Sequence, residues 1–214
     1  MAMIHLEPQT LEMFSRALDG LKPPPNLSLS QWADKYRKLS AEASASQGQW
    51  NTDAAPFQRE IMDAIGDVHV RKVVAMMCAQ AGKTEGLILN TIGFYMSYHP
   101  ASIMVMQPTV NLGESFSKDR LTPMLRDTPA LRGLVNTKSR YSGNTISKKN
   151  FPGGMLVIVG ANAPTDLRSR PIKVLLADEV DAYKASAGKE GDPVMLAEER
   201  QTTFWDYKTV MVST

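Results

Sequence analysis

Gly82, Lys83 and Thr84 stand at the junction between an apolar run and a helical pattern. The run at 70–77 (VRKVVAMM) predicts a buried strand, and residues 83–98 predict a helix. Phosphate binds well at such a helix N-terminus: glycine lets the backbone approach, lysine supplies charge, and threonine supplies a hydroxyl for Mg²⁺. The full phosphate-loop pattern has a further glycine five positions before Gly82, where this chain has methionine. The match is therefore incomplete, and a surface turn that starts a helix is the alternative.

A second apolar run ends in two carboxylates. In VLLADE at 174–179, Asp178 follows the run directly and Glu179 comes next. This is the Walker B arrangement, in which the aspartate holds Mg²⁺ and the glutamate activates the attacking water. The alternative is an acidic turn with solvated Asp178 and Asp181. Because both motifs follow predicted strands, and ligands bind at the carboxyl ends of strands in α/β sheets, together they predict a Mg-ATP site.

The chain after residue 67 alternates between strand and helix patterns. This alternation predicts an α/β fold with a mostly parallel sheet covered by helices on both faces. The strands are expected at 70–77, 102–107, 142–148, 155–160, 173–177 and 208–213, and helices at 83–98, 111–125 and 194–202. The pair at 142–148 and 155–160 is expected to form a hairpin around a Pro-Gly-Gly turn.

The first 66 residues differ from this core. Residues 1–22 place Leu11, Phe14, Leu18 and Leu21 at helical spacing, and three prolines follow. This helix is either a docking arm for a partner or packed on its own domain. In the next segment Ser30 is expected to cap a helix, and Pro56 to open another. The predicted organisation is an arm with a proline linker at 1–25, a helical lead-in at 26–66, and a core at 67–214.

Composition excludes several classes of protein. Lys plus Arg (24) nearly balances Asp plus Glu (22), so any basic surface must come from local clustering. The one cysteine, Cys78, permits no internal disulfide and fits a reducing compartment. No apolar run approaches the length of a transmembrane helix, so no membrane span is expected. The N-terminus lacks the pattern of a signal peptide.

The chain resembles the ATPase domain of the large terminase subunit of tailed bacteriophages, of the lambda-like type. This domain is a P-loop NTPase of the RecA-like (ASCE) class. Five segments carry the resemblance, in order: LSQWADKYRKLS (29–40), PFQREIMDAI (56–65), CAQAGKTE (78–85), MQPTVNLGESFSKDRLTPMLRDTPAL (106–131) and LRSRPIKVLLADEVDAY (167–183). The resemblance implies a Mg-dependent ATP hydrolase that drives double-stranded DNA into procapsids.

The resemblance also assigns roles to residues. Phe57 and Gln58 match the segment that reads adenine, although a solvated glutamine at a helix start is the alternative. Ser213 and Thr214 match the coupling motif at the tip of the strand after Walker B, which in related ATPases lies between the Walker A and Walker B strands. The residues expected around ATP in the phosphate loop are Cys78, Ala79, Gln80, Ala81, Gly82, Lys83, Thr84 and Glu85.

The chain departs from the family pattern in two ways. Many large terminases have an arginine inside the Walker A loop, and this loop has none. Arg168 and Arg170 are the candidate arginine fingers; they precede the Walker B strand, so they are expected at the edge opposite the nucleotide and could serve a neighbouring subunit. Simple surface or ion-paired arginines are the alternative. The second departure is length: the core is expected to be cut short at Thr214, with no nuclease domain.

The resemblance implies partners as well. These are double-stranded DNA, a small terminase subunit, the portal of a procapsid and further copies in a homo-oligomeric ring, all in the host bacterial cytoplasm. Basic residues around the predicted hairpin could contact DNA phosphates, or could simply be solvated: Lys138, Arg140, Lys148 and Lys149. Two other functions fit the motifs, a superfamily 2 helicase-like ATPase and a non-catalytic P-loop scaffold.

Overall fold

The computed structural model describes residues 26–42, 47–136, 143–168 and 170–214, together with residue 10 and residues 13–14. A six-stranded sheet forms its centre, in the order β3-β8-β7-β4-β6-β5. Its strands are β3 (Lys72–Met76), β4 (Ile103–Gln107), β5 (Lys148–Phe151), β6 (Gly154–Gly160), β7 (Val174–Asp178) and β8 (Lys208–Ser213). The predicted α/β class is confirmed, and β8 lies between the Walker A and Walker B strands as the resemblance implied.

The sheet is parallel except at β5, which pairs with β6 in antiparallel orientation. The hairpin is confirmed, but its first strand is Lys148–Phe151 rather than 142–148. The two-residue turn at 152–153 places Phe151 opposite Gly154, so the residues that pair with β6 are the four directly before the turn. β7 is central and fully buried. β3 is an edge strand rather than a buried one, and Val74 and Met76 are exposed on it.

One face of the sheet carries the helices that follow β3 and β4. A π-helical segment, Thr84–Leu89, continues directly into α3 (Asn90–Ser97). After β4, α4 (Val110–Phe116), a second π-helical segment (Ser117–Leu121) and α5 (Thr122–Asp127) form one continuous helical stretch. Both predicted helices are confirmed. Their apolar residues share one core with Val105, Val174 and Val210 from the sheet.

The opposite face is covered by shorter helices. These are α6 (Pro164–Leu167) and α7 (Pro193–Glu198), the second followed by a 3₁₀ turn at Glu199–Gln201. They pack over Met104, Met106 and Leu175 in a second core. The sequence predicted the helix at 194–202 but not α6, which is only four residues long.

The lead-in segment packs beside the first face. It contains α1 (Leu29–Tyr36), a short hairpin of β1 (Lys38–Leu39) and β2 (Gly48–Gln49), and α2 (Phe57–Gly66). Ser28, rather than Ser30, caps α1, because Ser28 and Gln31 form a reciprocal capping box. Ser30 is buried instead, and its backbone N–H donates to Asp63 on α2. Pro56 precedes α2 as predicted.

The proposed arm and linker at 1–25 lie outside the described residues, apart from residue 10 and residues 13–14. Phe14 is helical and exposed. Of the helices in the described ranges, none has the length and apolar character needed to cross a membrane.

Candidate active site at the carboxyl edge of the sheet

Four parallel strands bring the predicted motifs together at one edge. Met76 pairs in register with Ser213, and Asp178 pairs with Val212, so the ends of β3, β8 and β7 lie side by side. The backbone N–H of Met77, at the start of the phosphate loop, donates to the Ser213 carbonyl at 3.1 Å. β4 ends on the other side of β7. The two motifs, about ninety-five residues apart in sequence, are therefore neighbours.

The phosphate loop has the backbone of a tight turn. Gly82 has a φ of +73°, in the left-handed region that favours glycine. Gln80 has a φ of +59°, which is unusual for a residue with a side chain. Cys78, Ala79 and Gln80 are exposed, whereas Lys83 is buried and its ammonium donates to the Thr214 hydroxyl. The lysine thus points from the loop toward the tip of β8.

Gln58 lies beneath the loop rather than in solvent. Its side chain is 1% exposed, and its Nε2 donates to the carbonyl of Ala81 at 2.6 Å. A Cβ on Gly86 would come within 2.0 Å of Gln58 Oε1, so a larger residue there would force the glutamine side chain to move. The alternative of a solvated glutamine is wrong. In this structure the Gln58 amide supports the loop, while neighbouring Phe57 is 58% exposed and open to a ligand.

Asp178 occupies a buried position at the end of β7. Its Oδ2 accepts a hydrogen bond from Gln107 Nε2 at 3.1 Å, and its Oδ1 is buried with no hydrogen-bond partner. Burial raises the pKa of this carboxyl, against the opposing effects of Gln107 and of the Lys83 charge. An unpartnered buried carboxylate oxygen fits a divalent cation, and a hydroxyl such as that of Thr84 is also an oxygen ligand of the kind that Mg²⁺ prefers, so the predicted pair of metal ligands is chemically suitable.

Glu179 is exposed at the mouth of this edge. Its backbone is left-handed, with φ +55° and ψ +50°, and it precedes a 3₁₀ turn at Val180–Ala182. Within the described ranges, Glu179 and Gln80 are the two non-glycine residues with positive φ, and both lie in the predicted site. Backbone strain of this kind clusters at functional sites. The neighbouring Asp181 accepts a hydrogen bond from Ser213 Oγ at 2.7 Å, which lowers its pKa, so this aspartate is not simply solvated.

Glu85 forms ion pairs instead of facing the loop interior. Its carboxylate contacts the buried Arg37 at 2.7 Å and the half-exposed Arg120 at 3.4 Å. Burial raises the pKa of Glu85, and both arginines oppose that rise. The pair ties the lead-in segment to the first turn after the phosphate loop.

The two candidate arginine fingers lie away from the phosphate loop. Arg168 pairs with Glu190 at 2.6 Å, and the Arg170 guanidinium contacts the Met155 sulfur at 3.6 Å. Met155 is near the start of β6, so Arg170 lies at the edge opposite the candidate nucleotide site, as expected, whereas the partner of Arg168 belongs to the segment that follows β7. The role of either arginine as a finger stays a prediction.

The predicted DNA-contacting residues are only partly accessible. Lys149 is buried, and its ammonium donates to the carbonyls of Thr145 and Ile146, so it cannot also serve a DNA phosphate in this arrangement. Lys148 is half-buried on β5. Lys138 and Arg140 lie outside the described residues.

Sequence reasoning missed one residue of this site, Gln107. The available signal was its position: it is the last residue of an apolar strand and is followed by Pro108, at the edge where the two motifs were expected to meet.

The family model for "Phage terminase large subunit gpA, ATPase domain" matches residues 44–214. The chain is 30% identical over 179 residues to the terminase large subunit of Enterobacteria phage P21, covering 83% of this chain and 27% of the relative. It is 29% identical over 193 residues to the terminase large subunit of Escherichia phage lambda, covering 89% of this chain and 30% of the relative. The chain thus spans less than a third of the length of these relatives.

Two solved structures share the fold. The large terminase of bacteriophage HK97 superposes with a TM-score of 0.67 at 15% identity, over 87% of this chain and 37% of that one. The large terminase ATPase domain of Thermus phage P74-26 gives a TM-score of 0.52 at 18% identity, over 73% of this chain and 63% of that one. The chain belongs to the family of phage terminase large subunits, gpA type, and residues 44–214 match the ATPase domain of that family.

Proposed function

We propose that this domain hydrolyses ATP with Mg²⁺ and, within a full-length terminase, drives double-stranded DNA into a procapsid. The observation that supports this most directly is the juxtaposition at the carboxyl edge. There a buried lysine in the loop after β3 and a buried aspartate with one unpartnered oxygen at the end of β7 lie on either side of the tip of β8. Membership of the terminase family supplies the biological setting.

Each residue has a chemical task in this proposal. Lys83 binds the β- and γ-phosphates, and Phe57 packs against the adenine. Thr84 and Asp178 would hold Mg²⁺, which neutralises charge on the β- and γ-phosphates when it is bound. Glu179 accepts a proton from the attacking water, and its exposure at the end of β7 leaves it free to do so.

The tip of β8 would couple hydrolysis to movement. In this structure Lys83 donates to Thr214, and Ser213 donates to Asp181. A γ-phosphate would compete with Thr214 for the Lys83 ammonium, because the phosphate carries the greater negative charge. Binding of ATP is therefore expected to release the end of β8, and hydrolysis to restore the contact.

The remaining partners follow from the family. We infer that the full-length protein works with double-stranded DNA, a small terminase subunit and a portal, as a homo-oligomeric ring in the host bacterial cytoplasm. In such a ring Arg168 or Arg170 would serve the site of a neighbouring subunit. A phosphate loop without arginine needs such a residue, since an arginine supplied from a neighbour typically accelerates hydrolysis about 10³–10⁵-fold.

Nucleotide binding tests the proposal. Lys83→Ala is expected to weaken Mg-ATP binding at least tenfold in calorimetry, because the buried ammonium is the main charge available to the phosphates. Lys72→Ala is the matched control, since Lys72 begins the same strand at the opposite edge and pairs with Glu198. Equal affinity of the Lys83→Ala variant and the native protein would refute the phosphate-loop assignment. Binding without any hydrolysis in the full-length protein assembled as a ring, where the neighbour's arginine is supplied, would instead indicate a non-catalytic scaffold.

A further inference from the structure

We propose that Gln107 is a positioning residue for the metal ligand Asp178, an inference that rests on the proposed Mg-ATP site. Gln107 holds one oxygen of the carboxylate toward β4 and so presents the other to the cation. The hydrogen bond between Gln107 Nε2 and Asp178 Oδ2, at 3.1 Å, joins the ends of two adjacent strands. Gln107 is 6% exposed and Asp178 is 4% exposed, so little water competes for the bond.

The backbone around Gln107 fixes where its side chain can go. Its carbonyl accepts from the Ala161 N–H at 2.8 Å, which ties the end of β4 to the residue after β6. On α4, Gly113 lies against the glutamine: a Cβ there would be 3.9 Å from Gln107 Cβ. The stem of the side chain is therefore confined between strand and helix, and the amide extends toward β7.

The chemistry of an amide suits this task. Its N–H₂ donates to a carboxylate without adding charge, so it orients Asp178 without competing with a divalent cation. A lysine or arginine at this position would neutralise the carboxylate that the metal needs, and a glutamate would repel it. Within the described part of the chain, Gln107 is the side chain that hydrogen-bonds Asp178, and it leaves Oδ1 unpartnered.

Neighbouring contacts do not duplicate the role. The Tyr183 hydroxyl donates to the Met106 carbonyl at 2.9 Å, so it is engaged with β4 itself and not with the carboxylate. Without Gln107, no other side chain in the described part of the chain would hydrogen-bond the Asp178 carboxylate, and the backbone of Glu179 would be left as its hydrogen-bonding restraint. Residues that orient a metal ligand in this way typically change metal affinity about 10–100-fold when they are replaced.

The test compares two buried glutamines. Gln107→Met removes the amide with little change in volume. Gln201→Met does the same at the opposite edge, where Gln201 is 1% exposed and bonds only residues remote from the site. Mn²⁺ binding to each ADP-saturated protein is measured by electron paramagnetic resonance, and ADP affinity in the absence of metal by calorimetry. We expect Mn²⁺ affinity to fall at least tenfold in Gln107→Met alone, with metal-free ADP affinity unchanged.

Other results would overturn either the positioning role of Gln107 or the proposed function itself. Native Mn²⁺ affinity in Gln107→Met, or an equal loss in Gln201→Met, overturns the positioning role while leaving the proposed site intact. If the native protein binds neither ADP nor Mn²⁺, the proposed function fails, and this inference with it. If Gln107→Met does not fold, judged by urea unfolding, Gln107→Asn replaces it; its shorter amide cannot reach Asp178, and it is held to the same tenfold criterion.

Discussion

The carboxyl edge of the central sheet is the side where its parallel strands end, and the amino edge is the side where they start. The buried glutamines and carboxylates at these two sides differ in how completely they are hydrogen-bonded. At the amino edge, Gln201 donates to the carbonyls of Lys208 and Lys173 and accepts from the Thr209 hydroxyl. The ammonium of Lys208 donates to two further carbonyls, those of Asp67 and Val70. In this network both functional atoms of the glutamine amide have partners. Together the Gln201 and Lys208 hydrogen bonds join the starts of β7 and β8 to the turn before β3.

At the carboxyl edge, by contrast, buried groups keep unused bonding capacity. Asp178 Oδ1 and Gln58 Oε1 have no hydrogen-bond partner, and Gln80 and Glu179 hold left-handed backbone. Unsatisfied buried polar groups and strained backbone both cost stability. The Gln201 network at the amino edge is therefore satisfied, whereas the buried Asp178 and Gln58 at the carboxyl edge retain acceptors that a ligand could use.

The largest expected effect is at the carboxyl edge. Glu179→Gln keeps the shape of the side chain but removes the base, so hydrolysis should slow by about 10²–10⁴-fold while ATP binding is retained. Single-turnover hydrolysis and calorimetry measure the two quantities. Glu199→Gln is the control, an exposed glutamate at the amino edge that pairs with Arg200. A native hydrolysis rate in the Glu179→Gln variant would mean that another group activates water.

A smaller effect, on stability alone, is expected at the amino edge. Gln201→Met removes the acceptor of the Thr209 hydroxyl, the side-chain donor to the Lys208 carbonyl and one of two donors to the Lys173 carbonyl, so the free energy of unfolding should fall by about 1–3 kcal/mol. Urea unfolding at a fixed pH measures the change. Nucleotide affinity should stay native. A loss of affinity without a loss of stability would contradict the division between the two edges.

The smallest expected effect is an increase in the free energy of unfolding when Asp178 is replaced. Burial raises the pKa of Asp178 above its unfolded value of 3.8, so the native carboxylate costs stability as pH rises through the folded pKa. Asp178→Asn removes that cost and should raise the free energy of unfolding by roughly 1 kcal/mol near neutral pH. The gain should disappear below pH 3.8, where the native carboxyl is protonated in both states. Urea unfolding between pH 3 and 8 checks it, and a gain that is independent of pH would contradict the explanation.

The positions of the strands and the site edge could be predicted from sequence because their signals are local. β8 and β7 are apolar runs with clear ends, and the helix after the phosphate loop is a long, largely apolar stretch that ends before Pro100. The burial of β3 was misjudged because an apolar run does not reveal whether a strand is central or at an edge. The π-helical segments at Thr84–Leu89 and Ser117–Leu121 leave no sequence signature distinct from that of an α-helix.

The contacts of the two site glutamines could not be predicted, because they depend on distant partners. Gln58 meets Ala81 and Gly86 only after α2 packs beside the phosphate loop, and Gln107 meets Asp178 only through the strand order. The N-cap of α1 was nearer to being predictable from sequence. Ser28 and Ser30 are both suitable caps, and the choice is made by Gln31, which returns a bond to Ser28.

The one cysteine of the chain has a practical consequence. Cys78 is exposed at the start of the phosphate loop, and no other thiol is present to react in its place. A fluorescent maleimide would therefore label the protein at a single place within the candidate site, without mutagenesis. Labelling followed with time, in the presence and absence of nucleotide, would show directly how far a ligand shields the loop. For the same reason an oxidant in the buffer would reach the loop first, so the protein should be purified and stored with a reductant.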